Sequence, residues 1–213
     1  MKLKGILFDL DGTLADTLPV CIQAYQATVE HFGNWTPGDE EIMHYFGTSE
    51  EGILERFFPG QLNNTLPYFL NCYDKLHTEK CLNLFPGIDK ALALLALKHI
   101  QTAIVTGKGS HSAAISMRLL GLDRWINIVQ PGFPDKADKP YSIRKVIDRW
   151  GIQPGEAAYI GDTPYDMHAS QEVGLLPIGA AWASTSTLGL DDSAPTYKIF
   201  KNTKDFIGWV ESL

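Results

Sequence analysis

The sequence of 213 residues contains little cysteine, no excess of basic residues and no long apolar run. Its three cysteines, Cys21, Cys72 and Cys81, show no spacing typical of a metal site, so we expect a reducing, cytoplasmic environment. Lysine and arginine number 18 against 25 aspartate and glutamate residues, which gives a formal net charge of −7. This balance argues against binding of nucleic acid or of an anionic membrane through bulk charge.

No segment is apolar over a length that could cross a bilayer. The longest apolar run covers residues 91–97, whereas a membrane-spanning helix needs about 20 apolar residues. The first residues lead directly into a predicted strand, so we expect no secretory leader. A chain of this length can bury one sizeable core, or a core with a smaller inserted domain. We therefore expect a globular protein with no nucleic-acid or membrane partner.

Two carboxylates follow the first apolar run of the chain. Residues 6–8 predict a buried strand, and Asp9 and Asp11 come directly after it. Residues two apart in an extended chain point to the same side, so both carboxylates can face one pocket, and Gly12 then permits a sharp turn. Two like charges held this close repel each other unless a cation or a shared proton intervenes. The pair indicates a metal site, although an ordinary Asp-Gly turn at a strand end fits it equally well.

The spacing of apolar residues divides the rest of the chain into two regions. Residues 14–84 predict helices only, whereas strands and helices alternate from residue 85 onward. Such alternation is typical of a parallel sheet with helices on both faces, which is an α/β fold. The predicted strands cover residues 102–106, 126–129, 157–160 and 176–180. The predicted helices cover residues 16–32, 38–46, 49–58, 62–80, 88–98, 109–120, 139–150, 164–173 and 203–212.

Further candidate residues lie where predicted strands end or predicted helices begin. Thr106 and Gly107 offer a hydroxyl and backbone N–H groups that can hold a phosphate, or alternatively a helix N-cap. Lys139 opens a helix, where a surface lysine is the ordinary interpretation. Asp162 ends a strand and can ligate a hard cation. Asp166 follows one helical turn later, where it can hold a neighbouring group or simply stabilise the start of the helix.

Four segments, taken in chain order, resemble the motifs of the haloacid dehalogenase-like superfamily of phosphohydrolases. They are DxDGT at residues 9–13, Thr106, Lys139 followed by Pro140, and the GDxxxD pattern at residues 161–166. Lys136 is a rival for the third motif but lacks the following proline. Gly107 stands where many relatives carry asparagine, so only its backbone is available to a phosphate.

The resemblance implies a role for each of these residues. Asp9 is expected to be a nucleophile that forms an aspartyl-phosphate, and Asp11 a general acid and base. Thr106 and Lys139 are expected to hold the phosphoryl oxygens. Mg²⁺ is expected to bind Asp9, Asp162 and the backbone carbonyl of Asp11, with Asp166 supporting the site from behind.

The resemblance also implies the domain plan. Residues 1–14 and 86–213 are expected to form a Rossmann-like catalytic core, and residues 15–85 an inserted all-helical cap. The cap is expected to set specificity through residues 48–51 and to close over the substrate by a hinge at its two connections. Its basic residues Arg56, Lys75 and Lys80 are candidates to meet a second anionic group, although solvated surface is the ordinary interpretation of each.

The expected function is Mg²⁺-dependent hydrolysis of a small phosphorylated metabolite, phosphoglycolate-like or a sugar phosphate. The FDLDGTLADT, LFPG and GDTPYD segments resemble the phosphoglycolate phosphatase-like branch of the superfamily. A phosphomutase of the β-phosphoglucomutase type is one alternative, but those mutases carry a cap histidine where this chain has Cys21. A non-catalytic phosphate-binding regulatory protein is another, although such a protein gains nothing from uncompensated carboxylates.

Overall fold

The computed structural model describes residues 2–80, 82–189 and 197–213. Cys81, one of the three cysteines behind the prediction about the compartment, lies outside these ranges. Within them, no helix combines the length and the apolar character that a membrane crossing requires.

Across the described residues, six parallel strands form one sheet in the order β3-β2-β1-β4-β5-β6. β1 lies in the middle and pairs with β2 on one side and β4 on the other. The chain builds outward from β1 to β3, then crosses to the opposite side and builds from β4 to β6. This reversal creates a switch point between β1 and β4, beyond which open α/β sheets bind ligands. The strands are β1 (Gly5–Phe8), β2 (Gln101–Val105), β3 (Val129–Gln130), β4 (Ala157–Gly161), β5 (Leu176–Ala180) and β6 (Lys198–Phe200).

Nine helices are present in the described ranges, together with 3₁₀ turns at Leu122–Arg124 and Pro154–Glu156. The helices are α1 (Leu18–Gly33), α2 (Asp39–Met43), α3 (Glu50–Phe57), α4 (Leu62–Glu79), α5 (Ile88–Leu97), α6 (Ser110–Leu119), α7 (Lys139–Trp150), α8 (Pro164–Val173) and α9 (Thr203–Ser212).

The central strand is apolar without alternation because both faces of the sheet are covered. Ile6 and Phe8 pack into a core that includes residues of α5 and α9, and the ring of Phe206 on α9 meets Phe8 edge to face. Leu7 points to the other face, where it packs with Ile143 of α7 and its neighbours. The burial of all four β1 residues fixes the end of this strand firmly in the molecule.

The four helices α1 to α4 lie between β1 and α5 in the chain and share a separate apolar core. In that core the rings of Tyr25 and Phe69 lie 4.5 Å apart, and both side chains are almost fully buried. The entering and leaving chains run side by side, since the N–H of Phe85 donates to the carbonyl oxygen of Leu14 at 2.9 Å. The expected α/β core with an inserted helical cap is therefore confirmed, while the limits 15 and 85 remain a prediction.

Three elements differ from the sequence prediction. The strand predicted over residues 126–129 begins only at Val129, and Ile126 instead fills the core next to it, which accounts for the strand-like apolar run. The helix predicted over residues 38–46 ends at Met43, because Tyr45 and Phe46 bond to carbonyls only three residues back. β6 was not predicted, because three residues at a sheet edge are too few to show a periodic pattern of apolar residues.

Candidate active site

The carboxyl ends of β1, β2 and β4 meet at the switch point and bring the predicted site residues together. Asp9 follows β1, Thr106 follows β2 and Asp162 follows β4, and each of these side chains is buried. Parallel strands place their carboxyl ends at one edge of the sheet, so these positions converge although more than 150 residues separate the first from the last.

Asp9 has one oxygen bonded to the backbone and the other to a lysine. The N–H of Leu10 donates to Oδ1 at 2.7 Å, and Lys139 Nζ donates to Oδ2 at 2.9 Å. Burial raises the pKa of Asp9 to about 6, and Asp166 adds to this shift while Lys139 opposes it. The two hydrogen bonds hold the carboxyl group in a fixed orientation.

Asp9, Asp162 and Asp166 place carboxylate oxygens within 4.8 Å of one another, and all three residues are buried. Burial, together with the charges of Asp9 and Asp166, raises the pKa of Asp162 to about 8. The carboxylate of Asp162 accepts a hydrogen bond from the Thr13 hydroxyl at 3.2 Å. A set of buried carboxylates with surplus negative charge and only oxygen donors fits a hard divalent cation such as Mg²⁺.

Gly12 is required by the closeness of these groups. Its φ is +74°, and a Cβ atom there would lie 2.3 Å from Asp162 Oδ2. No larger residue fits both the backbone conformation and the space, so the glycine of the first motif allows β1 and β4 to bring their carboxylates together.

Lys139 is the cation of this cluster. Its ammonium group bridges Asp9 and Asp166, and its side chain is only 9% exposed. Although burial works in the opposite direction, Asp166 and Asp9 raise the pKa of Lys139 well above its ordinary value. The rival Lys136 pairs with Asp138 at 2.8 Å and its side chain is 54% exposed, so Lys139 is the lysine that the fold turns toward the carboxylates.

Asp166 both starts α8 and holds Lys139. Its Oδ2 accepts hydrogen bonds from the N–H and the hydroxyl of Thr163 at 3.0 and 2.7 Å. Its own N–H donates to the Thr163 hydroxyl oxygen at 3.2 Å, which completes a capping box. Its Oδ1 contacts Lys139. The two interpretations of Asp166 offered by the sequence are thus compatible, because each oxygen serves one of them.

Asp11 lines the same cavity and contacts a different lysine, Lys108. The hydroxyl of Thr17 donates to Oδ1, and Lys108 Nζ lies 3.4 Å from the same oxygen. Thr17 occupies the N-cap position of α1 without making a side-chain cap, because its hydroxyl is engaged by Asp11 instead. The carboxyl group of Asp11 is therefore held between the core and the first cap helix.

Thr106 and Gly107 form the turn between β2 and α6. The Thr106 hydroxyl accepts a hydrogen bond from the N–H of Lys108 at 3.3 Å, and both residues line the cavity described below. Gly132 packs against this turn so closely that a Cβ atom there would lie 2.2 Å from the carbonyl oxygen of Gly107. The turn is thus braced from behind by the neighbouring strand connection.

Sequence reasoning did not assign a role to Lys108, which the structure buries at the boundary between core and cap. Its ammonium group lies 3.5 Å from Glu50 Oε1 and 4.4 Å from the centre of the Tyr73 ring. Glu50 in turn accepts hydrogen bonds from the N–H of Gly109 and the hydroxyl of Ser112. Their positions in the sequence could have suggested a role for this pair. Lys108 stands two residues beyond Thr106 at a strand end, and Glu50 lies in the predicted specificity loop.

A cavity of about 470 Å³ opens between the strand ends and the cap helices. Asp9, Asp11, Thr106, Lys139 and Asp162 all line it, together with Thr48 and Glu50 from the predicted specificity loop. The cap residues Arg56, Lys75 and Lys80 are exposed and do not line it. The two lysines that reach the cavity belong to the core.

Comparisons with known proteins identify the family and the fold of the chain. Residues 6–180 match the family model described as haloacid dehalogenase-like hydrolase. Phosphoglycolate phosphatase of Chromobacterium violaceum is 27% identical over 217 residues, covering 94% of this chain and 97% of that protein. Pyrophosphatase PpaX of Bacillus pumilus is 24% identical over 201 residues, covering 93% of each chain. The crystal structure of CbbY from Rhodobacter sphaeroides in complex with phosphate superimposes with a TM-score of 0.79 at 20% identity, over 94% of each chain.

The fold and the site define a class of α/β enzyme. In this class the central strand of the sheet is followed by two aspartates and then by a helical insert. The family match covers most of the chain, and the protein belongs to the haloacid dehalogenase-like hydrolases.

Proposed function

We propose that this protein is a Mg²⁺-dependent phosphatase that hydrolyses a small phosphomonoester through an aspartyl-phosphate on Asp9. One observation carries the proposal. A buried nucleophile candidate, a lysine, a second carboxyl group and an acidic cation site face a single cavity at the switch point of the sheet. The relatives named phosphatases and pyrophosphatases support the same class of reaction.

In the first step an oxygen of Asp9 attacks phosphorus and the bond from phosphorus to the leaving oxygen breaks. The hydrogen bonds from Leu10 N–H and Lys139 hold the attacking carboxylate in one orientation, which favours in-line attack. Asp11, the carboxyl group on the cavity side, supplies the proton to the leaving oxygen, so the leaving group departs as a neutral alcohol.

The second step releases phosphate. Asp11 now lacks its proton and takes one from a water molecule, whose oxygen attacks phosphorus. The bond from phosphorus to Asp9 breaks, and Asp9 returns to its carboxylate form while inorganic phosphate departs. Lys139 and Thr106 hold the phosphoryl oxygens in both steps, because both face the cavity beside Asp9.

Asp9, Asp162 and the backbone carbonyl of Asp11 would hold Mg²⁺, with Asp166 behind them. When bound, the cation neutralises charge on the phosphoryl oxygens and relieves the repulsion among the carboxylates. Asp166 acts on the reaction through Lys139, which it positions beside Asp9.

The geometry around Cys21 supports hydrolysis over phosphoryl transfer within a sugar. Cys21 lines the cavity at the position where the mutases carry histidine, and burial raises the pKa of its thiol to about 12. A thiol held in its protonated form at neutral pH cannot serve as the second acid and base that a mutase needs.

We propose residues 15–85 as the cap. The paired connections at Leu14 and Phe85 support these limits, since few residues there would need to change their backbone angles during a hinge motion.

The test is release of phosphate from para-nitrophenyl phosphate and a panel of phosphorylated metabolites, with Mg²⁺ or with EDTA. We expect turnover with Mg²⁺, loss with EDTA, and no turnover by Asp9→Asn, because an amide cannot form the acyl-phosphate. Mass spectrometry of acid-quenched protein should find one phosphoryl group on the peptide that contains Asp9. Metal-dependent turnover of no panel member would favour the binding-protein alternative, and conversion of a sugar 1-phosphate to its 6-phosphate would favour the mutase.

A further inference from the structure

The part of the cavity that faces the cap is mostly apolar and carries no cationic side chain to recognise a leaving group. Nine described cap residues line it. Six of them are apolar, namely Leu18, Cys21, Tyr25, Met43, Phe46 and Ile53, and the other three are Gly47, Thr48 and Glu50. Among the cavity-lining residues that the structure describes, Lys108 and Lys139 are the cations. A substrate with a second anionic group would therefore depend on one of these two lysines.

Lys139 is committed to the phosphoryl end of the cavity. It contacts Asp9 and Asp166 and lies beside the nucleophile. Lys108 is the cation near Asp11, the proposed proton donor to the leaving group, at 3.4 Å from its Oδ1. A second anion on the leaving group would have to be received by Lys108.

Lys108 has its surroundings filled by the protein itself. An ammonium group offers three N–H donors, and around it lie Asp11 at 3.4 Å, Glu50 at 3.5 Å and the sulfur of Cys21 at 3.8 Å. The Tyr73 ring covers it at 4.4 Å, and the lysine side chain is only 3% exposed. These groups enclose the ammonium group, so little of Lys108 is open to the cavity that it lines.

Charge leads to the same result as geometry. With Asp11 ionised, Lys108 carries one positive charge against the two negative charges of Asp11 and Glu50. With Asp11 carrying the proton for the leaving oxygen, Lys108 and Glu50 cancel. Glu50 cannot easily swing away, because Gly109 N–H and the Ser112 hydroxyl hold its two oxygens. In both states the side chains of Lys108, Asp11 and Glu50 together carry no net positive charge.

We infer that the cavity selects phosphomonoesters of uncharged alcohols with an apolar body and discriminates against substrates with a second anionic group. The paired Glu50 and Lys108 are the specificity-determining residues. This inference rests on the proposed phosphatase function. It separates the protein from the activities for which its relatives are named, since phosphoglycolate carries a carboxylate and pyrophosphate a second phosphate.

The test compares two esters of nearly equal size, 2-hydroxyethyl phosphate and 2-phosphoglycolate, at one fixed concentration of free Mg²⁺. The readout is kcat/KM for phosphate release, with para-nitrophenyl phosphate as the general measure of phosphatase activity. We expect the uncharged ester to exceed 2-phosphoglycolate by about tenfold or more, because a buried like-charge contact weakens transition-state binding by at least that factor. Pyrophosphate should be as poor a substrate as 2-phosphoglycolate.

The variant Glu50→Gln tests the assignment to named residues. Glutamine keeps one acceptor oxygen for Gly109 N–H, and its NH2 group can donate to the Ser112 hydroxyl. It removes the negative charge beside Lys108, so the preference for the uncharged ester should shrink by about tenfold. Glu41→Gln is the matched control, because Glu41 is an exposed acid on cap helix α2 and makes the same change in net charge. It should leave the preference unchanged.

Each outcome decides the matter. Equal or faster turnover of 2-phosphoglycolate by the unmodified protein would overturn the inference and leave the phosphatase function standing. Turnover of none of these esters, para-nitrophenyl phosphate included, would overturn the proposed function and the inference with it. An unchanged preference in folded Glu50→Gln would also overturn it, and if that variant fails to fold, the comparison in the unmodified protein decides.

Discussion

Replacing Lys139 by methionine is the sharpest test of the buried charge cluster. The change keeps most of the apolar stem and removes the cation that contacts Asp9 and Asp166. In the metal-free protein the buried carboxyl groups of Asp9, Asp162 and Asp166 would then remain without a neighbouring cation. Breaking a buried ion pair by removing one partner costs roughly 3–5 kcal/mol, because the remaining charge is left uncompensated.

The free-energy cost of Lys139→Met should increase with pH. The carboxylates can escape the penalty by taking up protons, and the pKa values of Asp9 and Asp162 already stand near 6 and 8. Proton uptake is easy at pH 6 and harder at pH 8, so the destabilisation should grow as pH rises. In a protein of this size about 1 kcal/mol corresponds to roughly 2–4 °C in Tm, so we expect a decrease of about 6–20 °C at pH 8.

The assay is thermal unfolding in EDTA at pH 6 and pH 8, followed by circular dichroism. Lys136→Met is the matched control, because that lysine is exposed and makes only a surface ion pair, and its Tm should change little. Added Mg²⁺ should return part of the stability of Lys139→Met by supplying positive charge, yet turnover should stay lost. A Tm equal to that of the control at pH 8, or retained turnover, would refute the buried cluster as the centre of the site.

Three further predictions concern the metal, the cap and pH. Asp162→Asn should chiefly weaken metal binding, so that a titration with excess Mg²⁺ recovers part of the rate; full activity at limiting Mg²⁺ would contradict this. Gly52→Ala should lower kcat/KM without unfolding the protein. The Cβ atom of the new alanine would lie 1.9 Å from the carbonyl oxygen of Pro134 and hold the cap off the core. Unchanged kinetics would show that the cap tolerates the displacement. Burial lowers the pKa of His77 from its ordinary 6.5, so the unfolded chain takes up that proton first and the free energy of unfolding falls as pH drops below about 6.5. Urea titrations between pH 5 and 7 should show that the free energy of unfolding decreases less steeply with falling pH in His77→Leu than in the unmodified protein. The exposed His111→Gln should behave like the unmodified protein, and equal slopes in all three proteins would exclude the His77 contribution.

Cap closure on binding of a phosphate analogue remains a prediction. In this structure the cap already touches the core, since Ser49 N–H donates to the Phe133 carbonyl at 2.9 Å and Glu50 binds the start of α6. Hydrogen exchange with and without fluoroberyllate and Mg²⁺ should show protection across the cap connections on binding. Unchanged exchange there would argue for a cap fixed by its packing.

The positions of the core site residues could be predicted from sequence because local chemistry determines them. Asp9 and Asp11 follow an apolar run in strict alternation, and α7 begins and ends at the residues that the pattern predicts, Lys139 and Trp150. A parallel sheet then requires the ends of such strands to meet at one edge. Periodicity, glycine and proline positions and strand ends were sufficient to place these residues at strand ends and helix starts, whereas their expected roles came from the family resemblance.

The surroundings of Lys108 were decided only by the tertiary structure. Its contacts with Asp11 and Glu50 join segments that lie 97 and 58 positions away in the chain. Apart from its position two residues beyond Thr106, nothing local distinguishes this lysine from the exposed Lys75 or Lys80, because a side chain is buried or solvated by what the fold places over it. The same reason left the pairing of Lys139 with Asp166 unspecified. Charge compensation in a buried site depends on distances in space, and sequence spacing does not contain those distances.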